Sequence, residues 1–326
     1  MSNIVKAAII QKAPVFLNLE ASIEKAVGHI RNAANMGAEI VAFPECWFPG
    51  YPVWLDFAPG AGIWDEPGSK KLFELLANNA VAQGDKHLAA LQTVVDETGV
   101  VLSVGAHERD GNTLYNTSFM FQPRVHATVP HRKLMPTYTE RLIWGKGDGS
   151  TLDTLNTKWG AVGTLICWEH WMPLARAAMH AKNEAIHIAQ WPMVKEMNHI
   201  ASRHYAFEGR CAVLATGSVM SKKNVMDGFK STGFNSPKAE AMLASMPGGD
   251  DTLIHRGGSA IIAADGSYIT EPLYDKAGII TGDIDLSVQL QEAMALDTAG
   301  HYSRPDVFEL SVNTRPQLGV TFDDRD

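Results

Sequence analysis

The chain has 326 residues, 45% hydrophobic and 20% charged, an ordinary balance for a globular protein and enough length to bury a core without disulfide or metal staples. A formal net charge of -8 runs against the basic excess of nucleic-acid binders. The three cysteines, Cys46, Cys167 and Cys211, form no CxxC pair, which argues against a disulfide framework and a cysteine-rich zinc site.

In chain order, residues 5–10 read as an apolar strand. Leu19, Ile23, Val27 and Ile30 then recur at helical spacing, with Gly37 as a stop. Residues 39–43 form a second strand running into Pro44-Glu45. Residues 88–97 read as helix, and 99–105, 115–121 and 127–131 as strands. A further strand over 160–166 ends at Cys167. Helix over 173–182, strand over 185–190 and a long helix over 194–210 follow, then strands over 211–219, 259–264 and 278–284. Strands alternating with helices mean an α/β fold, and apolar rather than alternating strands suit a covered sheet. Residues 51–69, rich in Pro, Gly and aromatics, and 221–251, rich in Gly, Ser, Asn, Lys and Met, read as irregular insertions. No clean linker divides the chain. No run approaches the roughly 18 apolar residues of a membrane span, and residues 1–11 lack the apolar core and cleavage site of a signal peptide, so the expected location is the cytoplasm.

Three residues share one context. Glu45, Lys133 and Cys167 each follow a predicted strand, at the edge where α/β sheets build their sites. The chemistry suits the trio: a thiol becomes a useful nucleophile only as a thiolate. A carboxylate can take its proton, and an ammonium can hold that anion and the charge developing on the attacked substrate. If the chain turns into a helix after Cys167, as Pro173 suggests, the backbone N–H of Trp168 is a second donor. The bland alternatives are a small buried thiol, a solvated Glu and a surface Lys beside Arg132. Cys211 opens a buried strand and reads as structural, whereas Cys46 beside Glu45 is a rival nucleophile.

Phe43-Pro44-Glu45, His131-Arg132-Lys133 and Cys167-Trp168-Glu169 resemble, in that order, the three catalytic motifs of the nitrilase superfamily. Residues 133–149, 189–192, 202–208, 258–260 and 301–306 extend the resemblance across roughly residues 4–310. It implies a four-layer α-β-β-α sandwich formed by one carbon-nitrogen hydrolase domain over 1–326, with a core of about 4–285 and a C-terminal extension at subunit contacts. It also implies a dimer extending into spirals, with the two insertions among the contacts. Glu45 would be the base, Lys133 the oxyanion stabiliser and Cys167 the nucleophile, with Glu140 positioning Lys133 and the attacking water. Cys167-Trp168-Glu169-His170 resembles nitrilases rather than amide or carbamoyl hydrolases, so the expected reaction takes a nitrile to a carboxylic acid and ammonia through a thioimidate and a thioester, without cofactor. An amidase, a carbamoylase, a cyanide-degrading enzyme and an inactive assembly module are the alternatives.

Twelve histidines offer no metal-ligand spacing: His126/His131 and His199/His204 are five apart, wrong for one helix face. Gly145, Gly147 and Gly149 match no phosphate loop. Tyr51, Trp144, Trp168 and Trp191 flank the motifs as candidate substrate-binding aromatics. Several together around the site would favour aryl, arylaceto or hydroxynitriles.

Overall fold

The computed structural model describes residues 3–317 and 319–320. The last six residues of the expected C-terminal extension, Leu318 within it and the first two residues of the chain lie outside the described residues. The strands are, in chain order, β1 (Ile4–Gln11), β2 (Ile40–Ala42), β3 (Val101–Asp110), β4 (Thr113–Gln122), β5 (Val125–Arg132), β6 (Leu155–Thr157), β7 (Gly160–Ile166), β8 (Glu184–Gln190), β9 (Ala212–Thr216), β10 (Val219–Ser221), β11 (Leu253–Ile262), β12 (Tyr268–Tyr274) and β13 (Gly278–Asp285). The helices are α1 (Leu19–Asn35), α2 (Trp54–Phe57), α3 (Pro67–Asn78), α4 (Lys86–Thr98), α5 (Pro173–His180), α6 (Glu196–Gly209), α7 (Lys222–Ser231), α8 (Pro237–Ala244) and α9 (Ser287–Ala293).

Two sheets result. One runs β13-β1-β2-β3-β4-β5. The other runs β10-β11-β9-β8-β7-β6, with β12 also beside β11. Strands β1, β2 and β3 are parallel, as are β7, β8 and β9. Side chains alternate across each strand. Val5, Ala7 and Ile9 therefore face the second sheet, meeting Ile186, Ile188 and Leu214, while Ala8 and Ile10 face Ile23, Ile30, Leu91 and Val95 of α1 and α4. On the far side, Leu165, Ala189 and Val213 pack on Met179, Ala201 and Tyr205 of α5 and α6. The layers are helix, sheet, sheet, helix, as the resemblance implies. No helix among the described residues is long and apolar enough to cross a membrane.

Residues 221–251 are not an irregular insertion. They form α7 and α8, and α8 packs on α3. Reciprocal bonds between Ser221 and Asn224 cap α7, and Ser236 caps α8 just before Pro237. Val225, Phe229 and Leu243 enter one apolar cluster with Trp54, Leu72 and Leu75. Residues 51–69 likewise contain α2 and the start of α3. Gly99 does not open a strand: at φ +74 it caps α4, and β3 begins at Val101. The strand expected over 211–219 ends at Thr216 and resumes as β10.

Candidate active site

Strands β2, β5 and β7 bring Glu45, Lys133 and Cys167 to one place from two sheets. Beyond β2 the chain continues in register for one residue, Phe43 N–H bonding Ser103 O at 2.9 Å, before Glu45 N–H reaches across to Trp191 O at 3.3 Å. The Pro44–Cys46 segment lies directly over Gly105 of β3. A Cβ on Gly105 would fall 2.5 Å from both Pro44 O and Cys46 N, so only glycine admits this approach. Lys133, one residue past β5, is held by its N–H to Asn116 O at 2.8 Å, and its carbonyl accepts from Gly147 N–H at 2.8 Å. Cys167 sits at φ +55, a left-handed conformation uncommon for a non-glycine residue, at the turn from β7 into a 3-10 helix over Cys167–Trp171.

The Lys133 ammonium is fully buried and donates to Glu45 Oε1 at 2.9 Å and Glu140 Oε2 at 2.7 Å. Glu45 Oε1 also accepts from Asn116 Nδ2 at 2.7 Å. Its other oxygen is buried without an N–H or O–H donor among the described residues. The Glu45 carboxyl bears directly on the Cys167 thiol, as a charge and as a hydrogen-bond partner. Glu140 lies on a 3-10 turn (Tyr138–Leu142) and accepts from Tyr51 Oη at 2.8 Å and Thr137 N–H at 2.5 Å. One ligand-type atom each of Glu45, Glu140 and Cys167 lie within 4.8 Å of one another, close enough to hold a metal ion. Lys133 already supplies a positive charge to both carboxylates there.

One ammonium serves two carboxylates and a thiol. Burial pushes the Glu45 carboxyl up to about 7, against the pull of Lys133. Burial and then the Glu45 charge push the Cys167 thiol well above its usual range. Burial alone would lower Lys133, but Cys167, Glu45 and Glu140 together raise it well above an ordinary lysine. The resting arrangement is therefore a neutral thiol beside a carboxylate close to its titration point, with a permanent cation between the two glutamates.

Of the three cysteines only Cys167 groups with Glu45 and Glu140. Cys46 is wholly buried in the cluster containing Phe16 and Trp54, and Cys211 in the cluster beneath α6. The four aromatics divide. Tyr51 reaches the site through Glu140. Trp144 lies with its ring 5.7 Å from Lys133 Nζ and donates Nε1–H to His107 Nδ1 at 2.9 Å. Trp191 is fully buried, donates to Ser202 Oγ at 3.2 Å and stacks on His170. Trp168 is 56% exposed.

Glu169 and His131, quoted above only as motif neighbours, join the two halves of the site. His131 Nε2 bonds Glu169 Oε2 at 2.9 Å, and Glu169 also accepts from Leu134 N–H at 2.7 Å and Ile166 N–H at 2.6 Å. One carboxylate thus ties the residue after Lys133 to the residue before Cys167. Their places two residues from Lys133 and Cys167 were the signal available in the sequence.

Residues 6–291 match the family model described as "Carbon-nitrogen hydrolase". The chain is 38% identical over 315 residues to a protein of Sinorhizobium fredii (strain HH103) named "Aliphatic nitrilase", with 97% of each chain covered. It is 36% identical over 323 residues to "Nitrilase 2" of Arabidopsis thaliana, covering 98% of this chain and 92% of the relative. The crystal structure of a carbon-nitrogen hydrolase from Helicobacter pylori G27 superposes with a TM-score of 0.66 over 89% of this chain and 92% of that one, at 18% identity, a likeness of fold.

Proposed function

The chain belongs to the carbon-nitrogen hydrolase family and, within it, to the nitrilase branch, and from that premise we propose that it hydrolyses an organic nitrile to the carboxylic acid and ammonia with Cys167 as nucleophile. The observation that carries this reading is the buried grouping of Glu45, Glu140 and Cys167 around Lys133. Glu45 takes the thiol proton as sulfur attacks the nitrile carbon. The carbon–sulfur bond forms, and negative charge gathers on nitrogen, where the Lys133 ammonium donates the hydrogen bond left after its two carboxylates. Glu45 hands the thiol proton on to that nitrogen, which gives a thioimidate and frees the carboxylate. Glu45, again a base, activates a water. The tetrahedral adduct expels ammonia and leaves a thioester, which a second water opens to the acid. Glu140 holds the ammonium in place. The substrate and two waters account for every atom of the acid and ammonia.

The test is ammonia release from phenylacetonitrile, mandelonitrile, a short aliphatic dinitrile and cyanide, with the matching amides in parallel. Acid and ammonia in equal amounts from a nitrile support the proposal. Ammonia from amides alone moves the reaction to amide hydrolysis at the same site. Cys167→Ala should abolish turnover; normal turnover would transfer the role to Cys46. Aryl, arylaceto and hydroxynitriles remain the proposed substrates, supported by Tyr51 and Trp144 beside Lys133 and Glu140. The exposure of Trp168 and the core position of Trp191 withdraw two supports. Short aliphatic nitriles are the second reading, favoured by the name of the Sinorhizobium relative.

The same proposal takes 1–326 as one domain and the enzyme as cytoplasmic and self-associating. Leu174, Met197, Ile200 and Phe207 leave an exposed apolar face on α5 and α6, of the kind an interface covers. Sedimentation velocity tests the last point: a monomer at assay concentration would refute it.

A further inference from the structure

Behind the Cys167 turn, hydrogen bonds fix proton positions that the mechanism above does not use. The Cys167 carbonyl can only accept, so its 2.7 Å contact with His170 Nδ1 places a proton on that nitrogen. Burial, with His187 adding to it, holds His170 well below the usual histidine range, so its ring is neutral and Nε2 is bare. Nε2 lies 3.1 Å from His187 Nε2, which must therefore donate. His187 Nδ1 lies 2.8 Å from Glu184 Oε1. Burial alone would raise the Glu184 carboxyl, but His187 and the Tyr205 hydroxyl bring it below its ordinary value. His187 thus bridges His170 Nε2 and the Glu184 carboxylate through its two ring nitrogens. Its ring stacks on Tyr205 with centroids 3.8 Å apart, and Tyr205 Oη donates to Glu184 Oε2 at 2.5 Å. The chain has been given room: a Cβ on Gly163 of β7 would fall 1.7 Å from Glu184 Oε1.

We infer that the buried chain Glu184–His187–His170 orients and polarises the Cys167–Trp168 peptide, so that the Trp168 N–H is presented to the charge developing on the substrate nitrogen. The inference rests on the nitrile reading above. A trans peptide is planar, with its N–H opposed to its C=O, so fixing the Cys167 oxygen toward the interior turns the N–H the other way. That N–H lies in the first turn of the 3-10 helix, where the helix itself offers no acceptor. A donor on the carbonyl, backed by a hydrogen-bonded chain that ends on a buried carboxylate, strengthens the N–H of the same peptide, as hydrogen bonds in series do at low dielectric. His170 is a positioning residue, acting through the backbone.

The experiment compares nitrile turnover with the inactivation rate by iodoacetamide. Alkylation forms the sulfur–carbon bond and expels iodide. It needs the thiol and Glu45 but places no charge on a substrate nitrogen. His170→Phe should lower kcat about 10- to 100-fold, short of losing a whole oxyanion donor, with KM and the alkylation rate nearly unchanged. His170→Asn, whose amide nitrogen can replace Nδ1, should recover most of the loss. Alkylation falling in parallel with kcat would mean a collapsed turn and overturn the inference. An unchanged kcat in the Phe variant, or an Asn variant no better than Phe, would overturn it as well. If the Phe variant does not fold, His187→Gln is read in the same two assays, where loss of kcat alone supports the inference and parallel loss or none overturns it. Cys167→Ala runs alongside: turnover by that variant would overturn the nitrile reading at its nucleophile and leave no role for the Cys167 peptide.

Discussion

Two buried carboxylate clusters stand two residues apart on the same strand ends, and they are built to opposite ends. Lys133 and Cys167 belong to one, His131 and Glu169 to the other. In the second, one cation meets one carboxylate. His131 finds Glu169 on one nitrogen and Thr151 O at 3.0 Å on the other, and two backbone N–H groups complete Glu169. Burial alone would raise the Glu169 carboxyl, but these partners bring it below its ordinary value. Burial would likewise lower His131, but Glu169 raises it. In the first cluster one cation meets two carboxylates and a thiol, one Glu45 oxygen has no N–H or O–H donor among the described residues, and Glu45 rises to about 7. A satisfied ion pair holds the chain in place, whereas an under-neutralised one keeps a proton ready to move.

The largest expected effects separate the two roles. Glu45→Gln keeps shape and removes the base, and should lower kcat/KM by ~10²–10⁴-fold, the range of general-base catalysis, without loss of stability to urea. A variant within a few-fold of native would end the assignment of Glu45. Glu169→Gln should do the reverse. Breaking a buried pair costs about 3–5 kcal/mol, so the urea midpoint should fall sharply, while the fraction still folded retains most of its kcat. If Glu169→Gln kept its stability and lost its activity, the two clusters would have exchanged roles. pH adds a check. The raised His131 contributes stability below the ordinary histidine range, lost as pH rises through its higher folded value. The lowered Glu169 contributes above the ordinary carboxylate range, lost as pH falls through its lower folded value. The native enzyme should therefore weaken at both extremes, and the variant should have a flatter profile.

The sequence shows the first cluster far better than the second. Glu45, Lys133 and Cys167 stand out because the three triplets that carry them follow apolar strands in the order of the nitrilase motifs, although each residue taken singly also reads as a buried thiol, a solvated Glu or a surface Lys. Glu169 and His131 stand equally close to those strands, but their pairing spans 38 residues, and an ion pair has no sequence period. The same holds for Tyr51 on Glu140, 89 residues apart. Helices α7 and α8 are hidden for a different reason: Gly228, buried against Phe16, and the scattered Lys222, Lys223, Lys230 and Lys238 dilute the apolar spacing, although the Ser221–Asn224 and Ser236-Pro237 caps are present. The directions of Trp168 and Trp191 depend on where β7 gives way to a 3-10 turn and on what covers β8, decisions made by packing.

The smallest effect probes how finely the under-neutralised cluster is set. With Glu45 near 7 and the carboxylate as the working form, kcat/KM should fall on the acid side with a limb near that value. Asn116 Nδ2 donates to the same Glu45 oxygen as Lys133 and favours the ionised carboxyl. Asn116→Ala removes that donor but leaves the ammonium. The limb should move to higher pH by up to about one unit, since a hydrogen bond to a charged group is worth about 1.5–3 kcal/mol before water or a neighbour replaces it. Above the limb the rate should return to within several-fold of native, because the base is intact. A limb that stays put while the rate falls at every pH would mean that Asn116 places Glu45 rather than tunes it, and that burial, Lys133 and Glu140 set its proton affinity.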